Sequence, residues 1–210
     1  MPNPSNQEHE VKVLGINVAD ITKKLKEIGA KKVGDFFYRS CSFDYEGFPL
    51  DKQASWIRLR DEGDRVRLAY KRRLGVISNT GNDAGMEEIE FEVEEYDKTR
   101  QFLHKIGLIL KFAQEKKRTR WVKGDIEFDI DTCPQLPPYL EIEGKTDAAL
   151  KRGMKLLGIK PEDCRRFSTT QVYEMHGIRD KDYISMTFDE FVKRECAAVS
   201  TSKKSKNKVK

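Results

Sequence analysis

The sequence predicts an α+β fold: an eight-stranded antiparallel β-barrel with a polar, charged lumen and helices packed outside, made of two β-α-β-β-β halves. Three observations predict it. Period-two alternation, the mark of a strand with two unlike faces, recurs in seven stretches and weakly in an eighth. The polar positions of those stretches are almost all Asp, Glu, Lys or Arg, sorted by sign from strand to strand. The order of strand, helix, glycine stop and new strand also occurs twice.

The first strand alternates Glu8, Glu10 and Lys12 with His9, Val11 and Val13. A helix capped by Asp20 follows, with Ile21, Leu25 and Ile28 on one side and a stop at Gly29. Residues 36–44 form the weakly alternating eighth strand. Trp56, Arg58 and Arg60 then alternate with Ile57 and Leu59, and Arg65, Arg67 and Lys71 with Val66, Leu68 and Tyr70. A glycine-rich loop at 75–85 joins the halves. In the second half Glu88, Glu90 and Glu92 alternate with Ile89, Phe91 and Val93. A helix capped by Asp97 carries Phe102, Leu103 and Ile106 and ends at Gly107. Lys116, Arg118 and Arg120 then stand against Trp121, and Glu127, Asp129 and Asp131 against Ile126, Phe128 and Ile130. After a proline-rich turn at 133–138, Glu141, Glu143 and Lys145 alternate with Leu140 and Ile142. A third helix begins near Thr146, presents Leu150, Met154 and Leu157, and stops at Gly158.

These elements divide the chain into a domain over 1–176, a helical extension over 177–199 and a disordered lysine-rich tail over 200–210. In the extension, Thr187-x-x-Glu190 reads as a capping box opening a helix with Phe188, Phe191 and Val192.

Composition narrows the function. Of 210 residues 36% are charged, against about 25% in an ordinary domain, while 38% are apolar, enough for a core. The net charge of +5 resides in the tail, whose Lys203, Lys204, Lys206, Lys208 and Lys210 face no acid. The body is therefore neutral, which argues against a nucleic-acid partner. No apolar run approaches the roughly 20 residues of a membrane span, and the amino terminus has no signal-peptide pattern. A cytoplasmic protein without a membrane partner, monomeric or homodimeric, is expected. Cys41, Cys133, Cys164 and Cys196 are scattered, and His9, His104 and His176 lack ligand spacing. A metal site would thus be built from carboxylates and favour magnesium, manganese or calcium over zinc.

A single charged strand face is ordinarily solvated. A whole set with so few Ser, Thr or Gln, segregated by sign, fits the inside of a wet, nearly neutral barrel. Arg and Lys there supply charge-assisted donors to phosphate oxygens, and clustered carboxylates hold divalent metal against the same phosphates. A linear polyphosphate matches that many bases.

The run Glu8-x-Glu10-x-Lys12, then Arg58-x-Arg60, Lys71, Glu88-x-Glu90, Arg118-x-Arg120 and Glu141-x-Glu143 resembles the CYTH, or triphosphate tunnel metalloenzyme, superfamily over about residues 7–175. The resemblance implies an eight-stranded tunnel and a small triphosphate substrate with Mg2+ or Mn2+. By the same resemblance Glu8, Glu10, Glu141 and Glu143 would hold metal, joined by Asp129 and, second to it, Glu127, and Lys12, Arg58, Arg60, Lys71, Arg118 and Arg120 would grip phosphate. Lys116 joins them by parity, which Lys117 lacks. Glu88 and Glu90 would help hold metal or orient the attacking water; Glu87 faces out by parity. Trp56 either stacks an organic ring at the mouth or packs at an edge. Water attack on the terminal phosphorus makes a triphosphatase, and attack of a ribose hydroxyl on the α-phosphorus makes a class IV adenylyl cyclase. A binding module without turnover is the third alternative. Ser5-Asn6-Gln7 stands where the cyclase branch carries a His-Phe pair, a departure that favours hydrolysis.

Overall fold

The computed structural model describes residues 9–75 and 85–194. Glu8, most of the 75–85 loop, Cys196 and the expected disordered tail lie outside the described residues. The first half runs β1 (His9–Val13), α1 (Val18–Glu27), β2 (Lys31–Asp44), β3 (Ser55–Asp61) and β4 (Val66–Arg73). The second runs β5 (Met86–Val93), α2 (Tyr96–Lys105), β6 (Ile109–Lys123), β7 (Ile126–Thr132) and β8 (Tyr139–Gly144). The β-α-β-β-β order thus occurs twice. After it come α3 (Asp147–Leu157), β9 (Cys164–Arg165), α4 (Thr169–Met175), β10 (Tyr183–Met186) and β11 (Phe191–Lys193).

One large sheet follows the order β5-β4-β3-β2-β6-β7-β8-β1-β9, antiparallel throughout, with β10 added to β6 in parallel and β11 to β10. Among the described residues no backbone pairing joins β5 to β1 or β9. The expected eight strands therefore lie in one continuous sheet of an α+β fold, with four helices among the described residues, and the ring is not closed by hydrogen bonds there.

Residues directly opposite in an antiparallel ladder share a face. The register sets Lys12 against Glu141, Glu10 against Glu143, Glu141 against Asp129, Asp131 against Arg118, and Lys71 against both Trp56 and Glu88. All the alternating charges thus lie on one face. The reverse face is apolar where the helices cover it and forms two cores there. Val11, Phe128, Leu140 and Ile142 pack beneath Ile21 and Leu25 of α1 and Leu150 and Leu157 of α3. Cys41, Phe43 and Leu59 pack against Leu103 of α2 and the following Leu108. Each fully buried Leu, Ile or Phe contributes roughly 1.5–3 kcal/mol, so it is this side that holds the helices.

Several local expectations change. α1 is capped by Asn17, whose side chain accepts from the Ala19 and Asp20 amides at 2.9 and 3.2 Å; Asp20 lies in the first turn. α2 starts after Glu95, with Asp97 in its first turn rather than at its cap. α3 is as expected: Thr146 Oγ1 accepts from the Ala149 amide at 3.1 Å, and Gly158 takes the left-handed φ of 67°. The expected helix at 187–192 is instead a hairpin turn between β10 and β11. Thr187 Oγ1 accepts from the Glu190 amide at 3.1 Å, and the Thr187 amide donates to the Glu190 carbonyl at 2.9 Å. A capping-box spacing serves a tight turn here because β11 returns along β10. The additional helix α4 is opened by a true capping box between Ser168 and Gln171.

α4 also closes one end of the charged face. Tyr139, which shares that face opposite Asp131, packs with Val172 and Tyr173 of α4, Met186 of β10, and the partly buried Leu14 and Phe112. On the far side Arg73 Nη2 donates to Thr170 Oγ1 at 3.3 Å, tying α4 to β4. Among the described residues no helix is long and apolar enough to cross a membrane.

Candidate functional site

The charged face carries two ionic networks. On β1, β6, β7 and β8, Arg118 is 7% exposed and bonds Asp131 through Nε and Nη2, each at 2.6 Å, Glu141 at 2.6 Å and Asp129 at 2.5 Å. Lys12, 3% exposed, bridges Glu10 at 2.7 Å and Glu141 at 2.9 Å. Lys116 reaches Asp131 at 2.8 Å, and Arg120 chelates Asp129 at 2.9 Å and meets Glu127 at 3.1 Å. On β3, β4 and β5, Arg58 bonds Glu88 at 3.0 Å and Glu90 at 2.6 Å, and Lys71 meets Glu88 at 2.8 Å. Arg67 also bonds Glu90, and Arg60 bonds the buried Glu62.

Tyr38 of β2 stands between the networks, its ring 5.4 Å from Arg60, 5.4 Å from Lys116 and 5.6 Å from Arg118. Cations over a desolvated aromatic face are attracted by its quadrupole, so the ring holds cations from both sides in place.

Charge and burial set the protonation states. Burial alone would raise Glu141, but Lys12, Arg118 and Lys116 hold its carboxyl well below the usual range. Burial works against Lys12 too, yet Glu10 and Glu141 carry its ammonium above its ordinary value. Glu90, pushed up by burial, is brought down to about 2 by the Arg67 hydrogen bond and the charges of Arg58 and Arg60. Asp129 goes the other way: burial raises it despite Arg120 and Arg118.

The structure gathers on this face the sequence-expected Glu10, Lys12, Trp56, Arg58, Arg60, Lys71, Glu88, Glu90, Lys116, Arg118, Arg120, Asp129, Glu141 and Glu143. Glu8 lies outside the described residues. Trp56 has Arg73 over its ring at 5.7 Å. Glu87 points to the reverse face with Arg72, and Lys117 to the reverse face over Phe188, as parity requires. Sequence reasoning passed over Tyr38, Glu62, Arg67 and Asp131 as site residues. The parity of Arg67 and Asp131 already placed them there, and Glu62 continues the 56-58-60 register beyond the end of β3. No three acidic, His or Cys side chains converge as a metal cluster among the described residues. Glu10, Glu143 and Glu127 nevertheless stand side by side on adjacent strands at the end where Glu8 precedes β1.

A family model of the CYTH domain matches residues 6–167. The chain belongs to the CYTH domain family. A Methanocaldococcus jannaschii protein named "Putative adenylate cyclase" is 29% identical over 157 residues, covering 71% of this chain and 87% of that protein. The solved structure of a "putative adenylate cyclase" from Vibrio parahaemolyticus superposes with a TM-score of 0.64 at 16% identity, covering 80% of this chain and 98% of its own. The solved structure of a "putative adenylyl cyclase" from Hippeastrum, described as revealing a dominant triphosphatase activity, superposes with a TM-score of 0.56 at 13% identity over 81% of this chain and 95% of its own. At those identities the two structures share the CYTH fold with this chain. α4 and the β10–β11 hairpin follow the matched CYTH segment.

Proposed function

We propose that this CYTH chain is a divalent-metal-dependent phosphohydrolase that cleaves small triphosphates, inorganic triphosphate or an organic triphosphate, within a tunnel formed as the sheet curls around its charged face. One observation carries the reading: an extended set of Arg, Lys, Asp and Glu side chains is buried on a face that no helix among the described residues roofs along its length, and the charges there oppose one another in pairs. Buried ion pairs add little net stability compared with an apolar core. A sheet that keeps so many keeps them for a polyanionic ligand and its counter-ion.

The chemistry of the donors, though not their convergence on one point, suits a hard cation. Glu10, Glu143 and Glu127 are adjacent carboxylates with no sulfur or imidazole among them, the oxygen ligation that Mg2+ and Mn2+ take. When bound, such an ion would supply Lewis-acid stabilisation and an activated water. The chain's own groups do the rest. Lys12, Arg118 and Arg120 on one side and Arg58, Arg60 and Lys71 on the other bind the phosphate oxygens and neutralise charge on the leaving diphosphate. Glu88 and Glu90 hold Arg58 and Lys71 in position, and Glu90, ionised throughout the physiological range, donates no proton. Water attack at the terminal phosphorus yields phosphate and diphosphate.

A second reading, an adenylyl cyclase making cyclic AMP and pyrophosphate, is favoured by the name of the Methanocaldococcus jannaschii relative. An assay with tripolyphosphate, ATP and thiamine triphosphate, with Mg2+ or Mn2+ and again with EDTA, separates the readings. Metal-dependent phosphate release is expected. Cyclic AMP from ATP would replace the first reading with the second, and saturable binding without product would leave only a binding module. Glu143→Gln should abolish turnover with circular dichroism unchanged; full activity in that variant removes the metal assignment.

A further inference from the structure

The two ionic networks differ in how they use their guanidinium groups. Arg118 and Arg120 each give the Nε hydrogen to a carboxylate, Asp131 at 2.6 Å and Asp129 at 2.9 Å. Arg58, Arg60 and Arg67 bind carboxylates through their Nη atoms, and the Nε of all three is buried without an acceptor. Arg67 Nε stands 3.6 Å from Glu62, beyond hydrogen-bonding distance. The register packs the three together: Arg67 is directly opposite Arg60, and Arg58 is two residues along the same strand. A buried N–H without an acceptor is costly and uncommon, and three neighbours in that state mark a place kept for an acceptor with several oxygens.

The charge balance agrees. On the β3–β5 face five cations, Arg58, Arg60, Arg65, Arg67 and Lys71, meet four carboxylates, Glu62, Glu88, Glu90 and Glu92, with Asp64 of the intervening turn also on Arg65. In the other network acids outnumber bases. Relative to one another, the first therefore draws an anion and the second a cation.

We infer that Arg67, together with Arg58 and Arg60, forms a subsite for a non-bridging-oxygen-rich phosphoryl group, in which Arg67 binds the substrate through Nε–H while Glu62 and Glu90 orient the three guanidinium planes. The subsite deepens the triphosphate reading and rests on it. It acts through the chain's own donors, so it binds without metal.

The test is calorimetric titration of the full chain with sodium tripolyphosphate in EDTA, using wild type, Arg67→Gln, Arg67→Lys and Arg72→Gln. Arg72 lies on the same strand but on the reverse face, paired with Glu87. Arg67→Gln is expected to weaken binding about tenfold, roughly 1.4 kcal/mol. Arg67→Lys, which keeps the charge and loses the Nε–H, should stay several-fold weaker than wild type, and Arg72→Gln should match wild type. Unchanged melting of the unliganded variants shows that they fold. Wild-type affinity in Arg67→Gln overturns the subsite alone, and so does equal weakening in Arg67→Gln and Arg72→Gln, which would make the effect one of net charge. Absence of binding by the wild type in EDTA overturns the subsite, and absence of binding with Mg2+ present as well overturns the triphosphate reading too.

Discussion

Glu141 shows what single residues contribute on the charged face. It accepts from Lys12 and Arg118, both nearly enclosed, and its neutral form would leave two cations buried with reduced compensation. Removing one partner of a buried pair costs about 3–5 kcal/mol. Glu141→Gln is therefore expected to lose stability of that order in a urea titration, whatever it does to turnover; a loss within the range of a surface change would show that the pairing is solvated. Glu90 gives a pH signature. Its folded carboxyl titrates at about 2, below the ordinary 4.5. A depressed carboxylate stabilises the fold fully above the unfolded value and loses that contribution as pH falls through the folded one. Wild-type stability should thus decline from about pH 4.5 toward pH 2, and Glu90→Gln should show a shallower decline over that window in acid titrations followed by circular dichroism.

At the scale of elements, α3 is set closely on the sheet. A Cβ at Gly153 would lie 3.0 Å from Cγ2 of Ile126 and 3.0 Å from Cγ2 of Ile142, so the helix axis rests on β7 and β8 only because this residue lacks one. Gly153→Ala gains roughly 1 kcal/mol of helix propensity, while overpacking costs about 1–3 kcal/mol. A net lower melting temperature is expected; a higher one would mean that the helix shifts freely. α3 was legible in the sequence because its Thr146 cap, apolar spacing and Gly158 stop agree. The caps of α1 and α2 lie three and two residues before the expected Asp20 and Asp97, because a first-turn Asp and a capping residue are chemically alike. α4 escaped because seven residues hold too few turns to display a period, and Thr187-x-x-Glu190 misled because the same side-chain-to-amide bond closes a hairpin turn as well as a helix.

Across the whole molecule, the described residues beyond the matched CYTH segment are part of the fold. Met186 of β10 is fully buried against Tyr139, Val172 and Tyr173 at the end of the charged face. Met186→Ala is expected to cost about 2–5 kcal/mol, as for other buried large-to-small changes, read as a drop in denaturation midpoint. A change near zero would make the hairpin an ornament. The amino-acid sequence alone determined which side chains share a face, because alternation is a local property of an extended chain and survives any arrangement of neighbours. It also determined the repeated order of strand and helix. Only the tertiary structure decided which acid meets which base, that Tyr38 stands between the two networks, and that three arginines keep a donor in reserve. Those depend on register between strands far apart in the chain, where a shift of two residues preserves every face and changes every partner.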